Sequence, residues 1–263
     1  MVALRRRGER WPLRPTVCFF VLGLGSYAVV TFGFLGNWST DLRWAFTTRM
    51  ALLLFAVPAL LSLGQPVVLA RRALAGRSLR VLEAVLGSWP VRMLGRAVIA
   101  PLVAFAAFCV FLTPVAGLVR QSAVGNDILT VAVPVVGLLM VLPIIDRSSQ
   151  RTSFFITVEF LLVFVELVMD AIPAVILRLH ETVIDGAARV SGVVPGWFPN
   201  PLRDQQLAGD WLWFIAEAAD IPVLILLFVR WSRIDRREAK DLDDLTDEEM
   251  DERTREHLRG PRE

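Results

Sequence analysis

Six long apolar stretches constrain the fold of this 263-residue chain more than any other feature. A helix needs about 20 mainly apolar residues to cross a bilayer, and each stretch is close to that length. Lipid cannot hydrogen-bond exposed backbone groups, so such stretches form helices rather than open strands or loops. We therefore predict an all-α, polytopic membrane protein with six transmembrane helices, at about 16–36, 47–70, 97–119, 128–145, 153–177 and 211–231.

The cationic residues are divided unevenly between the two sides of this predicted bundle. Of the 28 Lys and Arg, 22 fall on the side of the two termini and six on the opposite side. Short cytoplasmic loops are enriched in Lys and Arg, so both termini are predicted to be cytoplasmic. The predicted organisation is a basic N-terminus at 1–15, a membrane domain at 16–231 and a charged cytoplasmic tail at 232–263.

The composition also indicates where the protein resides. Arg outnumbers Lys 27 to one, which is typical of a high-GC bacterium, so a bacterial plasma membrane is the predicted location. We interpret the basic N-terminus as a topology signal beside membrane lipids and not as a nucleic-acid site.

Motifs of known soluble enzymes are missing from the sequence. There is no HExxH, GxSxG, Walker or dinucleotide-binding pattern. The chain has two histidines, His180 and His257, and both lie outside the apolar stretches. A haem or copper site built on several histidines is excluded by this count. We predict a non-enzymatic protein without haem.

Carboxylates inside the last two apolar stretches are the strongest candidates for a functional site. They are Glu159, Glu166 and Asp170 in the fifth stretch, and Glu217 and Asp220 in the sixth. A charge at the middle of a bilayer costs about 2.5–3.5 kcal/mol on insertion scales. Each carboxylate must therefore be protonated, hydrogen-bonded or paired.

Two interpretations of these carboxylates remain open. One is structural pairing with Arg49, Arg120 or Arg178 near the ends of the predicted spans, and the other is ion, metal or proton handling. The three acids of the fifth stretch fall within about 40° of each other on a helical wheel, which predicts a shared face. Asp170 and Glu217 are predicted to lie at equal depth on neighbouring helices.

The segment that precedes the sixth stretch resembles a known family. It runs from Pro201 to Gly209 and contains the loop motif Asp204, Gln205, Gln206, Ala208 and Gly209. This D-Q-Q-x-A-G pattern is similar to that of the CtaG-type cytochrome c oxidase assembly proteins. Two further segments resemble the same family, the Leu-rich 51–66 and the G-L-L-x-x-x-P of 137–143. The resemblance implies a membrane protein that assists maturation of the oxidase copper centre, with oxidase subunits as partners.

Residues at the family's histidine positions differ in this chain. An H-x-x-x-H pair of the family corresponds here to Phe46 and Met50, and a second pair to Asn126 and Thr130. A further histidine corresponds to Asp170. Soft thioether ligands suit Cu(I), so Met50, Met169 and Asp170 are the remaining metal candidates, for copper bound weakly at best.

Three functions are therefore carried forward from the sequence. The first is assistance in oxidase assembly, at the copper centre. The second is a histidine-free paralogue that acts as a structural subunit or scaffold of the oxidase. The third is a small transporter coupled to protons or cations, which would use the intramembrane carboxylates.

The charge asymmetry generates a topology prediction. Single cysteines introduced at Ser39, Ser122 and Ser191 should react with an impermeant thiol reagent from the outer side of the membrane. Cysteines at Ser88 and Ser148 should react only from the cytoplasmic side. If two of these five positions label from the wrong side, the six-span topology is wrong.

Overall fold

A computed structural model describes residues 12–94, 99–145, 153–187 and 195–243, and every regular element within these ranges is helical. The helices are α1 (Leu13–Trp38), α2 (Arg43–Ser62), α3 (Pro66–Ala73), α4 (Gly76–Leu86), α5 (Trp89–Leu94), α6 (Ile99–Cys109), α7 (Pro114–Gln121), α8 (Ala123–Ile145), α9 (Ser153–Leu179) and α10 (Pro201–Asp243). The predicted all-α class is confirmed. The predicted N-terminus at 1–15 lies largely outside the described residues, as do positions 244–263 of the predicted tail.

Three of the described helical segments are long and apolar enough to cross a membrane. They are Leu13–Trp38, Arg43–Ser62 and Ala123–Val141, and they match the first, second and fourth predicted spans. The fifth and sixth predicted spans lie within α9 and α10, whose side chains are described only in part. The described residues thus support a membrane protein with three or four spans, and the count of six stays a prediction.

The third predicted span, 97–119, is not one straight helix. α6 continues as a short 3₁₀ turn to Leu112, and α7 then leaves at 84° to it. Thr113 between them is extended because a residue before proline is disfavoured from the helical region, and Pro114 begins α7. The pair counts as a fourth span only if both limbs belong to one broken crossing.

The second predicted span, 47–70, is shifted toward the N-terminus in the structure. α2 begins at Arg43 and ends at Ser62, and a turn precedes Pro66 at the start of α3. Gln65 in this turn has a left-handed backbone, with φ of 51°. Gly64 packs so closely on Phe19 of α1 that a Cβ there would lie 2.5 Å from the Phe19 Cβ. Proline and this close contact end α2 earlier than hydropathy alone predicts.

The interruption of α2 at Phe55 has a local cause. Pro58 has no N–H for the Leu54 carbonyl, and its ring crowds that oxygen, so the backbone at Phe55 departs from helical values. Gly137 of α8 packs at this point, where a Cβ would lie 2.0 Å from the Leu54 carbonyl oxygen. The glycine therefore permits close approach of α8 to the kink of α2.

α2 is the central helix of the bundle. It packs against α1, α8 and α10, while α9 and α10 pack along each other more extensively than any other described pair. One apolar cluster joins α2, α6, α8, α9 and α10 through Ala51, Leu54, Ala104, Phe108, Met140, Ala174, Leu177, Leu212, Ile215 and Ala216. A second cluster joins α1 to α2 through Val30, Phe46, Met50, Leu53 and Val57.

Among the positions chosen above for topology labelling, Ser39 is buried and Ser122 is exposed. Ser148 and Ser191 lie outside the described residues. A cysteine at Ser39 will therefore react slowly from either side, so Ser122 and Ser191 are the useful probes of that surface.

The close contact at Gly137 generates a stability prediction. Gly137→Ala should lower the free energy of unfolding by about 1–3 kcal/mol, because the added methyl group collides with the backbone of α2. Thermal unfolding of the purified protein in detergent measures this loss. The matched control is Gly25→Ala in α1, where a Cβ meets only ordinary contact at 3.8 Å. Equal melting temperatures for the two variants would contradict the packing argument.

Candidate functional site

The family loop motif lies at the start of α10, and its first residue caps another helix. The Asp204 carboxylate accepts hydrogen bonds from the backbone N–H groups of Arg43 (2.9 Å) and Trp44 (3.0 Å). These are among the first N–H groups of α2, which have no partner within the helix. Asp204 is 0% exposed. Burial raises the pKa of its carboxyl group, while the two backbone donors, Arg43 and Arg120 act in the opposite direction.

The second residue of the motif ties down the chain that follows α9. The Gln205 Oε1 accepts from the backbone N–H of Ile184 at 2.8 Å. Its Nε2 donates to the carbonyl oxygens of Thr182 (3.0 Å) and Leu177 (3.4 Å). Gln205 is buried, so these bonds satisfy an amide that would otherwise be costly to bury.

The last residues of the motif allow α9 and α10 to touch. A Cβ on Gly209 would lie 2.5 Å from the Ala174 carbonyl oxygen, and Ala208 is buried beside it. Gln206 is partly buried and accepts a 3.4 Å bond from Arg203 within the same helix. Four of the five predicted motif residues therefore hold the ends of α2, α9 and α10 together.

Two buried arginines, Arg43 and Arg120, contact the carboxylates at this point. We call Arg43, Arg120, Asp185, Asp204 and Gln205 the capping network. Arg43 donates from Nε and Nη2 to one oxygen of Asp185, at 2.8 and 2.6 Å. Arg120 is 1% exposed, donates to the Thr40 carbonyl oxygen, and lies 3.5 Å from the other Asp185 oxygen. With Asp204 included, two guanidinium groups face two carboxylates, and the buried Asp41 also interacts electrostatically with Arg120.

Arg43 and Asp185 were missed as site residues by the sequence reasoning. They are 142 residues apart, and their contact follows from the fold. The available signal was an arginine directly before the apolar residues of α2, where a buried charge requires a partner.

A second polar cluster surrounds Arg49, at the middle of the N-terminal half of α2. Its Nη1 donates to Asn126 Oδ1 at 2.6 Å and to Ser39 Oγ at 3.2 Å, and its Nη2 donates to Thr130 Oγ1 at 2.6 Å. Arg49 is 3% exposed. We call these four residues the Arg49 cluster. Asn126 and Thr130 are two of the residues that the sequence analysis aligned with family histidines, and this correspondence stays a prediction.

Phe46 and Met50, the other pair that the sequence analysis aligned with family histidines, do not belong to the Arg49 cluster. Phe46 and Met50 pack in the apolar cluster with Val30, Leu53 and Val57. Met169 is half-buried on α9. Met50 lies on α2 and Met169 and Asp170 lie on α9, so a thioether site built from these residues stays a prediction.

The Arg49 cluster does not fit a copper ion. A guanidinium is cationic and has only donors, so it cannot coordinate a metal and repels one nearby. Within the described part of the chain, no three His, Cys, Asp or Glu side chains converge as metal ligands do. The Asn126 amide oxygen and Thr130 hydroxyl are moreover committed to Arg49.

The predicted intramembrane carboxylates lie on the packed faces of α9 and α10. Asp170 and Asp220 are buried, and Glu166 and Glu217 are partly buried. Glu217 accepts a hydrogen bond from the Trp213 indole N–H at 2.8 Å. Glu159 lies in the part of α9 where side chains are not described.

The arginines considered above as partners for these carboxylates bind elsewhere. Arg178 pairs with Asp210 at 2.9 Å, Arg120 approaches Asp185, and Arg49 bonds to the neutral side chains of its cluster. Among the described contacts, none of these three arginines therefore pairs with an intramembrane carboxylate.

The cap on α2 generates a second stability prediction. Asp204→Ala should cost about 3–5 kcal/mol, because it leaves two buried backbone donors without an acceptor and removes one of the carboxylates beside Arg43. Urea or thermal unfolding in detergent measures the loss. The matched control is Asp210→Ala on the same helix, where the ion pair with Arg178 is 40–43% exposed and should contribute at most about 1 kcal/mol. Similar losses in both variants would show that the cap is unimportant.

Comparison with known proteins identifies the family. The chain matches the model of the cytochrome c oxidase caa3 assembly factor family (CtaG) over residues 1–234. Uncharacterized proteins of Mycobacterium bovis and Mycobacterium tuberculosis are each 28% identical to it over 274 residues, which cover 95% of this chain and 39% of theirs. The chain thus spans about two-fifths of the length of these curated relatives, and no solved structure matches it. Since the family model covers nearly the whole membrane region, this chain belongs to the cytochrome c oxidase caa3 assembly factor family.

Proposed function

We propose that this protein assists the assembly of a respiratory cytochrome c oxidase in the plasma membrane of a bacterium. The match to the assembly-factor family over residues 1–234 carries this proposal. The structural role of the D-Q-Q-x-A-G segment supports it, because Asp204, Gln205 and Gly209 hold the helix ends of the shared fold. Its partners would be oxidase subunits, which it meets within the bilayer.

The finer proposal concerns the step of assembly. We place its action at the maturation of the oxidase copper centre, with the metal delivered by another component. The Arg49 cluster supports this division of labour, since a fixed guanidinium occupies the space between Asn126 and Thr130. In this proposal the protein acts as a scaffold for an oxidase subunit and does not carry copper at those positions.

A specific observation favours a second candidate function. Asp170 and Asp220 each have a buried carboxylate oxygen without a hydrogen-bond partner among the described residues. Ionisable groups inside membrane segments frequently mark proton or ion paths. Coupling to protons or cations is therefore the alternative, and it would not require an oxidase partner.

The assembly proposal predicts a defect that is specific to the oxidase. Deletion of the gene in its host should reduce cytochrome c oxidase activity and the copper content of the isolated oxidase. Complementation should restore both. The activity of a quinol oxidase or a dehydrogenase in the same membranes is the control. Unchanged oxidase activity and copper content in the deletion strain would refute the proposed role.

The Arg49 cluster predicts the copper content of the protein itself. After mild chelation, the purified wild-type chain should hold far less than one copper per molecule, because a guanidinium replaces the ligands of a cation site. Elemental analysis measures this ratio. One tightly bound copper per chain would contradict the prediction, and its loss in Met50→Leu or Met169→Leu would then identify a thioether site.

A further inference from the structure

Asp170 and Asp220 are buried carboxylates on adjacent helices, and each has an oxygen without a described hydrogen-bond partner. Asp170 on α9 is 1% exposed, and its Oδ1 has no hydrogen-bond partner among the described residues. Asp220 on α10 is 8% exposed, and its Oδ2 has none either. An ionised carboxylate without water or a partner costs several kcal/mol to bury. The two carboxyl groups therefore require something that neutralises them.

The packing of α9 on α10 places the two groups close together. The helices run antiparallel, as the Arg178–Asp210 ion pair and the contact of Gly209 with the Ala174–Arg178 turn require. At 1.5 Å per residue, Asp220 lies about 16 Å along α10 from Gly209, level with about residue 165 of α9. Asp170 lies between that level and the Gly209 contact, about 8 Å along the helix axis from the level of Asp220.

Two glutamates extend the same cluster. By the same helical register, Glu166 is level with Asp220, and Glu217 lies between the levels of Glu166 and Asp170. Glu166 interacts electrostatically with Asp220 and Asp170, and Asp170 with Asp220 and Glu217. Like charges this close disfavour full ionisation of the set. Glu217 differs from the two aspartates in accepting a hydrogen bond, from the Trp213 indole N–H at 2.8 Å.

The elements around the cluster offer no counter-charge in their described parts. α9 packs against α6, α10 and Val110–Leu112, and α10 packs against α9 and α2. The titratable group of α6 that interacts with Asp170 is the thiol of Cys109. The cations of α2 are engaged elsewhere, Arg43 with Asp185 and Arg49 with Asn126 and Thr130.

The chemistry of the surrounding residues favours a proton over a metal cation as the ligand. A metal cation needs several oxygen ligands in addition to a carboxylate. Segments 161–179 and 211–231 contain no Ser, Thr, Asn or Gln, so no neutral side-chain oxygens are available there. No three metal-ligating side chains converge within the described residues either. A proton needs none of these ligands, and it removes the charge that makes burial costly.

We propose that Asp170 and Asp220, with Glu166 and Glu217 beside them, form a proton-binding site between α9 and α10. The buried oxygens of Asp170 and Asp220, which lack hydrogen-bond partners among the described residues, hold the protons. The site binds and releases protons inside the bundle. It does not depend on the proposed role in oxidase assembly.

Labelling with dicyclohexylcarbodiimide tests this site. The reagent enters membranes and adds to protonated carboxyl groups in apolar surroundings, leaving a stable acylurea that mass spectrometry can locate. The full-length wild-type protein in liposomes should be labelled at Asp170 or Asp220 near neutral pH. Labelling should fall as the pH rises, because the reactive acid is converted to the carboxylate.

Matched variants test whether the labelling depends on Asp170 and Asp220. Asp170→Asn and Asp220→Asn should each reduce labelling of the cluster by more than half, and the double variant should abolish it. Asp170→Glu should keep it, which guards against loss of fold, and thermal unfolding checks each variant. Asp210→Asn is the control, since Asp210 is half-exposed and paired with Arg178.

Three outcomes would overturn the proposal. One is absence of label in the wild-type cluster near neutral pH, and another is labelling that does not depend on pH. The third is protection by sodium chloride but not by choline chloride at the same pH and ionic strength, which would identify a cation as the ligand. Normal oxidase assembly in the Asp170→Asn and Asp220→Asn strains would not contradict the proton-site proposal. It would show that the site is independent of the assembly role.

Discussion

The cap that Asp204 places on α2 is the interaction on which the rest of the bundle depends. α2 is surrounded by α1, α8 and α10, so its first backbone N–H groups cannot reach bulk water. An apolar surrounding makes each unsatisfied donor costly, and the carboxylate of a distant helix supplies the missing acceptor. This one side chain therefore sets both where α2 begins and how α10 lies against it.

The capping network extends the same principle to charges. Arg43 and Arg120 are buried because Asp185 and Asp204 are buried with them. Replacing one partner would leave an uncompensated charge, whereas the complete set is close to neutral. Gln205 then fixes the connection from α9, so that the loop holding Asp185 stays beside Arg43. The D-Q-Q-x-A-G motif is in this sense a set of structural bonds between helix ends.

Besides the capping network, the described interior of the bundle contains two polar sites of opposite charge. The Arg49 cluster places a cation among neutral oxygens, and the α9–α10 interface places carboxylates among apolar side chains. The two sites do not neutralise each other through any described bond. The Arg49 guanidinium keeps its charge and is held by hydrogen bonds and by its electrostatic interaction with Asp127, while a carboxylate can lose its charge by taking up a proton. This difference is the physical basis for proposing a scaffold role at the first site and proton binding at the second.

The sequence by itself determined the helical class, the apolar segments and the residues that interrupt them. Pro58 and Pro66 act on the backbone within one helical turn, so their effects on the second segment could be anticipated in kind, whereas the break at Pro114 was not predicted. The five intramembrane carboxylates and the family resemblance were also visible, because both depend on residue type and local spacing. Only the tertiary structure decided that Asp204 caps α2, that Arg49 bonds to Asn126 and Thr130, and that the third segment bends by 84°. The contacts of Asp204 and Arg49 join residues that are 77 to 161 positions apart in the sequence. The bend sets the direction of the chain after a break in a helix. Local periodicity carries no information about such partners, since they are selected by how whole helices pack and by the cost of leaving a buried charge or donor unpaired.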